Sequence, residues 1–293
     1  MKKYHPNLKV YLFIFLFLMF LPNFAHSHEP DEVSSFYQPL IQRLCQDGFD
    51  IELLSRLFTD FRAEMIPSVM RISRNSKEVP EIYSQFLNPD SISLSKKFLR
   101  HNLETLRQME NQFHIEKEII VAILLVESRF GESIGKYRVM PTLASLALMD
   151  SPVNLWNNYL TLQEIDPEIS YKWLESLAKK KANWAYHELK CFLRIIQQEK
   201  IDPLEVWGSY AGAFGMAQFI PSSYLNYALS KKGFGNWLQS KEDAIFSIGN
   251  YLKSHGWKKN LPIEKKREVL WYYNHSEPYV ETILQVAQKI KNR

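Results

Sequence analysis

The sequence predicts a mainly α-helical fold, and three observations carry that expectation. Apolar residues recur at helical spacing in most segments. Alternating strand patterns with hairpin turns are scarce. Glycine is sparse, at 10 in 293 residues, in keeping with a helical reading. With 46% hydrophobic and 14% aromatic residues, a sizeable core can form.

The first 27 residues stand apart. Lys2, Lys3 and Lys9 precede the apolar run VYLFIFLFLMFL, and Ala25 and Ser27 supply small residues at a cleavage site, so residues 1–27 read as a secretory signal peptide. The run is short of the roughly 20 residues that a membrane-spanning helix takes. Left uncleaved, it would associate the chain with the inner membrane. No cysteine follows it, which argues against a lipid anchor. The exported chain is expected to start near His28, with residues 28–293 forming one domain.

Helical patterns then follow in order. VSSFYQPLIQRLCQDG opens with Ser34 or Ser35 as N-cap and closes on Gly48. SISLSKKFLRHNLETLRQMENQF carries leucine and phenylalanine at helical spacing. After it come IEKEIIVAILLVESRFG, NWAYHELKCFLRIIQQEK, SKEDAIFSIGNYLKSHGW and YVETILQVAQKIKN. Irregular polar connections such as KEVPEIYSQFLNPDS and LMDSPVNLWNNY separate some of them. No internal repeat or low-complexity linker appears.

A net charge of +4 and a pI near 8.8 suit an anionic polymer such as cell wall. Without a concentrated basic tract, nucleic acid is not an expected partner. The eight histidines form no HExxH motif and no tight cluster, so neither a metal nor a cofactor is expected. Cys45 and Cys191, the only cysteines, are compatible with one bridge or with two buried thiols.

One carboxylate draws attention. On a helix from about Glu116, Glu127 shares a face with Leu124, Ile123 and Ile120, and Gly131 stops the helix just beyond it. Burial in an apolar stripe and the negative end of the helix dipole both disfavour its charged form, which is what a general acid requires. The alternative is a glutamate turned to solvent and paired with Arg129 or Lys136.

Two motifs decide between these readings. The first, VESRFGESIGKYRVMPTLASLA, holds Glu127, Ser128, Arg129, Phe130 and Gly131, then Gly135, Lys136 and Arg138. The second, GSYAGAFGMAQFIPSSY from Gly208 to Tyr224, places Gly208, Gly212 and Gly215 within eight positions. Together they resemble the catalytic segments of the lytic murein transglycosylases, closest to the B-type family with a lysozyme-like domain. KKANWAYHEL and YYNHSEPYV extend the resemblance, which covers roughly residues 111–292; residues 28–110 match only as a helical lead-in.

The resemblance implies a lysozyme-like helical catalytic domain that cleaves the β-1,4 bond between N-acetylmuramic acid and N-acetylglucosamine in peptidoglycan glycan strands. It implies Glu127 as sole catalytic acid and base, with Ser209 within reach of that carboxylate or of substrate. Gln218 would hold the sugar, Tyr273 and Asn274 would shape the reacting subsite, and Tyr279 would support them. The bland alternatives are a helix cap for Ser209, a surface amide for Gln218, and core aromatics for the tyrosines. Lys180 and Lys181 stand where the family usually has arginines that recognise the stem peptide. They keep the charge but lose the planar fork.

Glu188, in a matched segment, reads as a surface ion-pair residue. Between Asp150 and Lys179 the chain has about 25 residues more than the family pattern, expected as one or two extra helices over or beside the cleft; this extra segment spans about 150–179. Some members bind calcium after the Pro-Ser motif, but ALSKKGFGNWLQSKEDA lacks alternating aspartates, so no calcium site is expected. A lysozyme-type hydrolase and a non-catalytic peptidoglycan binder are the rival functions. A periplasmic monomer, with cell-envelope machinery as a further partner, completes the expectation.

Overall fold

The computed structural model describes residues 35–73, 80–199, 201–230 and 233–292. The signal-peptide reading at 1–27 and the Ser34 cap lie outside them. The described chain is mainly helical. In order it forms α1 (Gln38–Gln46), α2 (Ile51–Thr59), α3 (Pro80–Tyr83), α4 (Pro89–His101), α5 (Leu103–Phe113) and α6 (Lys117–Ser128). A two-residue strand β1 (Tyr137–Arg138) leads into α7 (Val139–Ala147), α8 (Pro152–Gln163) and α9 (Tyr171–Gln198). Strand β2 (Trp207–Gly208) is followed by α10 (Pro221–Tyr227), α11 (Phe234–Trp237), α12 (Lys241–Ser254), α13 (Ile263–Tyr273) and α14 (Glu277–Lys291). The strands pair antiparallel, with Tyr137 opposite Gly208 and Arg138 opposite Trp207.

Two helices form the centre. Every residue of α6 from Ile119 to Leu125 is buried, and so is every residue of α7. A helix apolar on all sides must be wrapped by others, and α6 packs against α14, α4 and α5 while α7 packs along α9. The apolar stripe expected beneath Glu127 is therefore a helix enclosed all round, a stronger form of the same environment.

Local chemistry sets the boundaries. Asp50, Asn88, Ser151, Ser170, Ser240 and Ser276 each cap a helix by accepting from a backbone N–H in its first turn. The stretch from Ser91 to Phe113 is divided at Asn102, whose side chain donates back to the Phe98 carbonyl at 2.8 Å. The first helix opens later than expected, after Tyr37 rather than at Ser35. The helix expected at Asn183–Lys200 begins instead at Tyr171 and runs 28 residues. The extra segment at 150–179 accordingly supplies one whole helix, α8, and the first turns of α9.

The lead-in is more than a support. Phe98 of α4 stacks on Phe130 at 4.3 Å between ring centroids. Tyr83 of α3 meets Tyr279 edge-on at 6.2 Å.

Both cysteines are free thiols. Cys191 is buried beside His187, 3.6 Å from its Nε2, and burial pushes the thiol pKa upward.

Candidate active site

Glu127 lies one residue before the end of α6, partly buried, where the chain turns sharply. Arg129, Phe130 and Gly131 take φ values of 48°, 63° and 94° in succession. Two non-glycine residues in the left-handed region cost on the order of 1–3 kcal/mol each, so the surroundings must hold them. The N–H groups of Arg129 and Phe130 return to the carbonyls of Leu125 and Leu124, both at 3.0 Å. Phe130 is clamped by Phe98. Ser128, 1% exposed, donates its hydroxyl to the Met216 carbonyl at 2.8 Å and accepts from Gly131 N–H at 3.0 Å. That hydroxyl joins the end of the Glu127 helix to the glycine-rich segment across from it.

The glycines of that segment serve close backbone approach. A Cβ on Gly135 would lie 1.9 Å from the Gly208 carbonyl oxygen, and one on Gly208 would lie 2.2 Å from the Ala213 oxygen. Bridges between Gly208 and Phe214, and between Phe214 and Phe219, fold the strip back on itself. Arg138 fixes its start: the guanidinium lies 4.4 Å over the Trp207 ring, and Nε donates to the Leu204 carbonyl at 2.7 Å.

The expected site residues fall into three groups. Tyr279 and Tyr273 gather at Glu127. The Tyr279 hydroxyl donates to Glu127 Oε1 at 2.6 Å, and the two tyrosine rings stack at 6.4 Å. Burial first, and then the Glu127 charge, push both phenols well above their ordinary value of 10.0. They stay protonated and act as donors. Tyr273 gives its proton to the Ala217 carbonyl at 2.6 Å, so it braces the glycine strip beside Glu127.

Ser209 and Gln218 organise that strip. Ser209 Oγ accepts from Ala211 and Ala213 N–H at 3.2 and 3.1 Å, capping its own turn rather than a helix, and can still donate its own proton. Gln218, at φ 48°, donates through Nε2 to the Ile134 and Gly215 carbonyls at 3.1 and 2.9 Å. It ties the turn after Glu127 to the strip, with Oε1 left as its acceptor. Asn274 follows α13 in extended conformation, partly buried, in the link to α14. Lys180 and Lys181 are exposed on α9.

Glu188 departs from expectation. It is 1% exposed rather than on the surface, and its carboxylate accepts from Ser222 N–H at 2.9 Å and Ser222 Oγ at 2.8 Å. It anchors the start of α10 directly after the glycine strip. In the first turn of α12, the Asp243 carboxylate accepts from Ser230 Oγ at 3.1 Å and Asn236 Nδ2 at 3.0 Å. No group of three or more His, Cys, Asp or Glu gathers among the described residues.

Sequence reasoning missed Tyr83 and Ser128. Ser128 stands inside the first motif, and its small hydroxyl next to the carboxylate was the available signal. Tyr83 carries no local signal, because its place comes only from the packing of α3 on α14.

The frame and the site define a lysozyme-like helical domain with one carboxylate at the end of a buried helix. The comparisons agree. The model of the transglycosylase SLT domain matches residues 32–269. Membrane-bound lytic murein transglycosylase B of Escherichia coli (strain K12) is 30% identical over 226 residues, 72% of this chain and 54% of that protein. The chain thus spans about half the length of that curated relative. The structure of the Escherichia coli lytic transglycosylase SLT35 in complex with bulgecin A superposes with a TM-score of 0.68 at 25% identity, covering 87% of this chain and 92% of that one. SltB3 from Pseudomonas aeruginosa in complex with NAG-anhNAM-pentapeptide shares the fold at TM-score 0.69 and 19% identity, covering 88% of this chain and 80% of that one. The chain belongs to the transglycosylase SLT domain family.

Proposed function

We propose that the protein is a lytic murein transglycosylase with Glu127 as its one catalytic carboxylate. The observation that carries this reading is the 2.6 Å bond from Tyr279 to Glu127 at the end of a helix buried on every side. Ordinary glycosidases need two carboxylates. Of the other glutamates in the matched motifs, Glu188 is engaged by Ser222, Glu277 is exposed and pairs with Arg267, and Glu132 is exposed beyond the turn. One carboxylate suffices when the nucleophile comes from the substrate.

Glu127 protonates the oxygen of the β-1,4 bond, and the bond from that oxygen to the muramic acid C1 breaks. The neighbouring 2-acetamido group stabilises the positive centre. The carboxylate then takes the proton from the 6-hydroxyl of the same sugar as its oxygen bonds to C1, which returns Glu127 to its acid form. No water is consumed, and the product is a 1,6-anhydro ring. The ring tether gives the hydroxyl a large effective concentration over water. Tyr279 holds the carboxylate in place, and Tyr273 and Ser128 hold the glycine strip against it. Gln218 Oε1 and Asn274 are the groups that face the sugar, and Ser209 reaches it through its remaining proton.

The substrate reading draws on the lytic relatives and on the pentapeptide-bearing fragment bound by SltB3. A site in the periplasm follows from the predicted signal peptide. No helix among the described residues is long and apolar enough to cross a membrane. The chain acts as a monomer, with envelope machinery as a further partner.

The test is Glu127→Gln, which keeps the shape and removes the acid. Release of soluble muropeptides from purified sacculi should fall to background, while thermal stability and sacculus sedimentation persist. Release near the wild-type rate would remove the assignment.

A further inference from the structure

Helix α9 carries Trp173, Leu177, Lys180, Lys181, Trp184 and Glu188 at intervals of three and four, so they share one side of the helix. At one end of this stripe Glu188 is buried against Ser222, at the exit of the glycine strip. Toward the start of the helix the same side opens to solvent. Trp184 is 38% exposed, Lys181 and Lys180 are exposed, Leu177 is partly buried, and Trp173 is 41% exposed. Neither indole has a ring partner or a hydrogen bond among the described residues. Elsewhere Trp237 and Trp257 are fully buried, and the exposed Trp156, Trp271 and Trp207 each have a partner, namely Tyr159 and Tyr171, His275, and the Arg138 guanidinium. Each indole is more than half covered, and with Leu177 the two form an apolar strip on one side of the helix, the kind of grouped surface that marks a binding site.

We propose that the stripe is a track for the far end of an anionic glycan strand, with Trp184 and Trp173 as sugar-stacking platforms. This rests on the transglycosylase reading and extends it beyond the residues that the family resemblance implies. Trp173 in particular lies in the extra segment. The eleven-residue separation of the two indoles corresponds to about 16 Å along the helix, a length spanned by a few linked sugars.

Two features favour a glycan over a protein partner. Lysines divide the two indoles, and lysine is depleted in the apolar centre of protein interfaces. A murein strand instead alternates pyranose faces, whose C–H groups lie flat on an indole, with lactyl and peptide carboxylates that pair with Lys180 and Lys181. The stripe is also continuous with the wall of the site, because Glu188, four residues beyond Trp184, holds the start of α10.

The test compares wild type, Trp173→Ala and Trp173→Phe on long uncrosslinked strands and on a short disaccharide-peptide dimer. The ratio of kcat/KM on long to short substrate should fall about fivefold in the alanine variant, through KM, and be largely restored by phenylalanine. An unchanged ratio, or an equal loss on both substrates, would overturn the proposal. In a Glu127→Gln background, Trp173→Ala should weaken sedimentation with sacculi by a similar factor. That binding arm needs no turnover, so it separates failure of the track from failure of the catalytic reading.

Discussion

The hydroxyl of Tyr279 donates to Oε1 of Glu127 at 2.6 Å, a short O–H···O bond. Such a bond fixes the direction of a carboxylate that would otherwise rotate at a helix end, and it is worth about 1.5–3 kcal/mol. Tyr279→Phe should therefore lower kcat on sacculi by roughly tenfold to a hundredfold with KM little changed; a rise in KM with kcat unchanged would assign the tyrosine to binding alone. Ser128 works one step further back. Ser128→Ala strips a partner from the Met216 carbonyl and another from Gly131 N–H, and should destabilise the fold by about 1–3 kcal/mol in urea unfolding. The motif residues Glu127, Tyr273 and Tyr279 were legible because sequence neighbours announce them. Tyr83 was not, since only the packing of α3 on α14 brings it to Tyr279. Ser209 shows a subtler limit: the sequence named the residue, but its nearest partners are the N–H groups of its own turn.

Among the elements, α6 was legible from its apolar run and its stop at Gly131, while its enclosure on all sides was not. A residue pattern gives period, but the number of neighbours a helix acquires depends on how distant segments pack. Glu188 was misread for the same reason: a glutamate within HELK has no local sign that Ser222, from α10, will cover it. Because Ser222 supplies both donors, Ser222→Ala leaves the buried carboxylate with the backbone N–H alone. It should destabilise the fold by about 1–3 kcal/mol; a denaturation midpoint equal to wild type would show that water replaces the hydroxyl. The meeting of β1 and β2 is less tolerant. Gly135 has φ +104°, and its added Cβ would overlap the Gly208 carbonyl. Gly135→Ala should cost about 3 kcal/mol or more and move the strip away from Glu127.

Across the whole molecule, buried tyrosines set the response to alkali. Burial raises Tyr37 and Tyr224 to about 12 and also lifts Tyr251, Tyr273 and Tyr279. In the unfolded chain these phenols ionise near 10. Above that pH the native state binds more protons than the unfolded one, so stability that is fully present below about pH 10 should decline as pH rises toward 12, by on the order of 1 kcal/mol per pH unit for each such tyrosine. Urea midpoints at pH 8, 10 and 11 check the sign; a flat series would contradict it. The helical class of the whole was legible because helix periodicity is local. The shared buried centre of α6 and α7, which sets Glu127 against the glycine strip, required the three-dimensional packing. A single carboxylate at that junction needs the sugar's own 6-hydroxyl to complete the reaction, and the mass of the muropeptides released from purified sacculi shows whether it does. Attack by that hydroxyl leaves 1,6-anhydro ends, lighter by one water than hydrolysed ends; reducing ends as the main product would mean that water attacks instead.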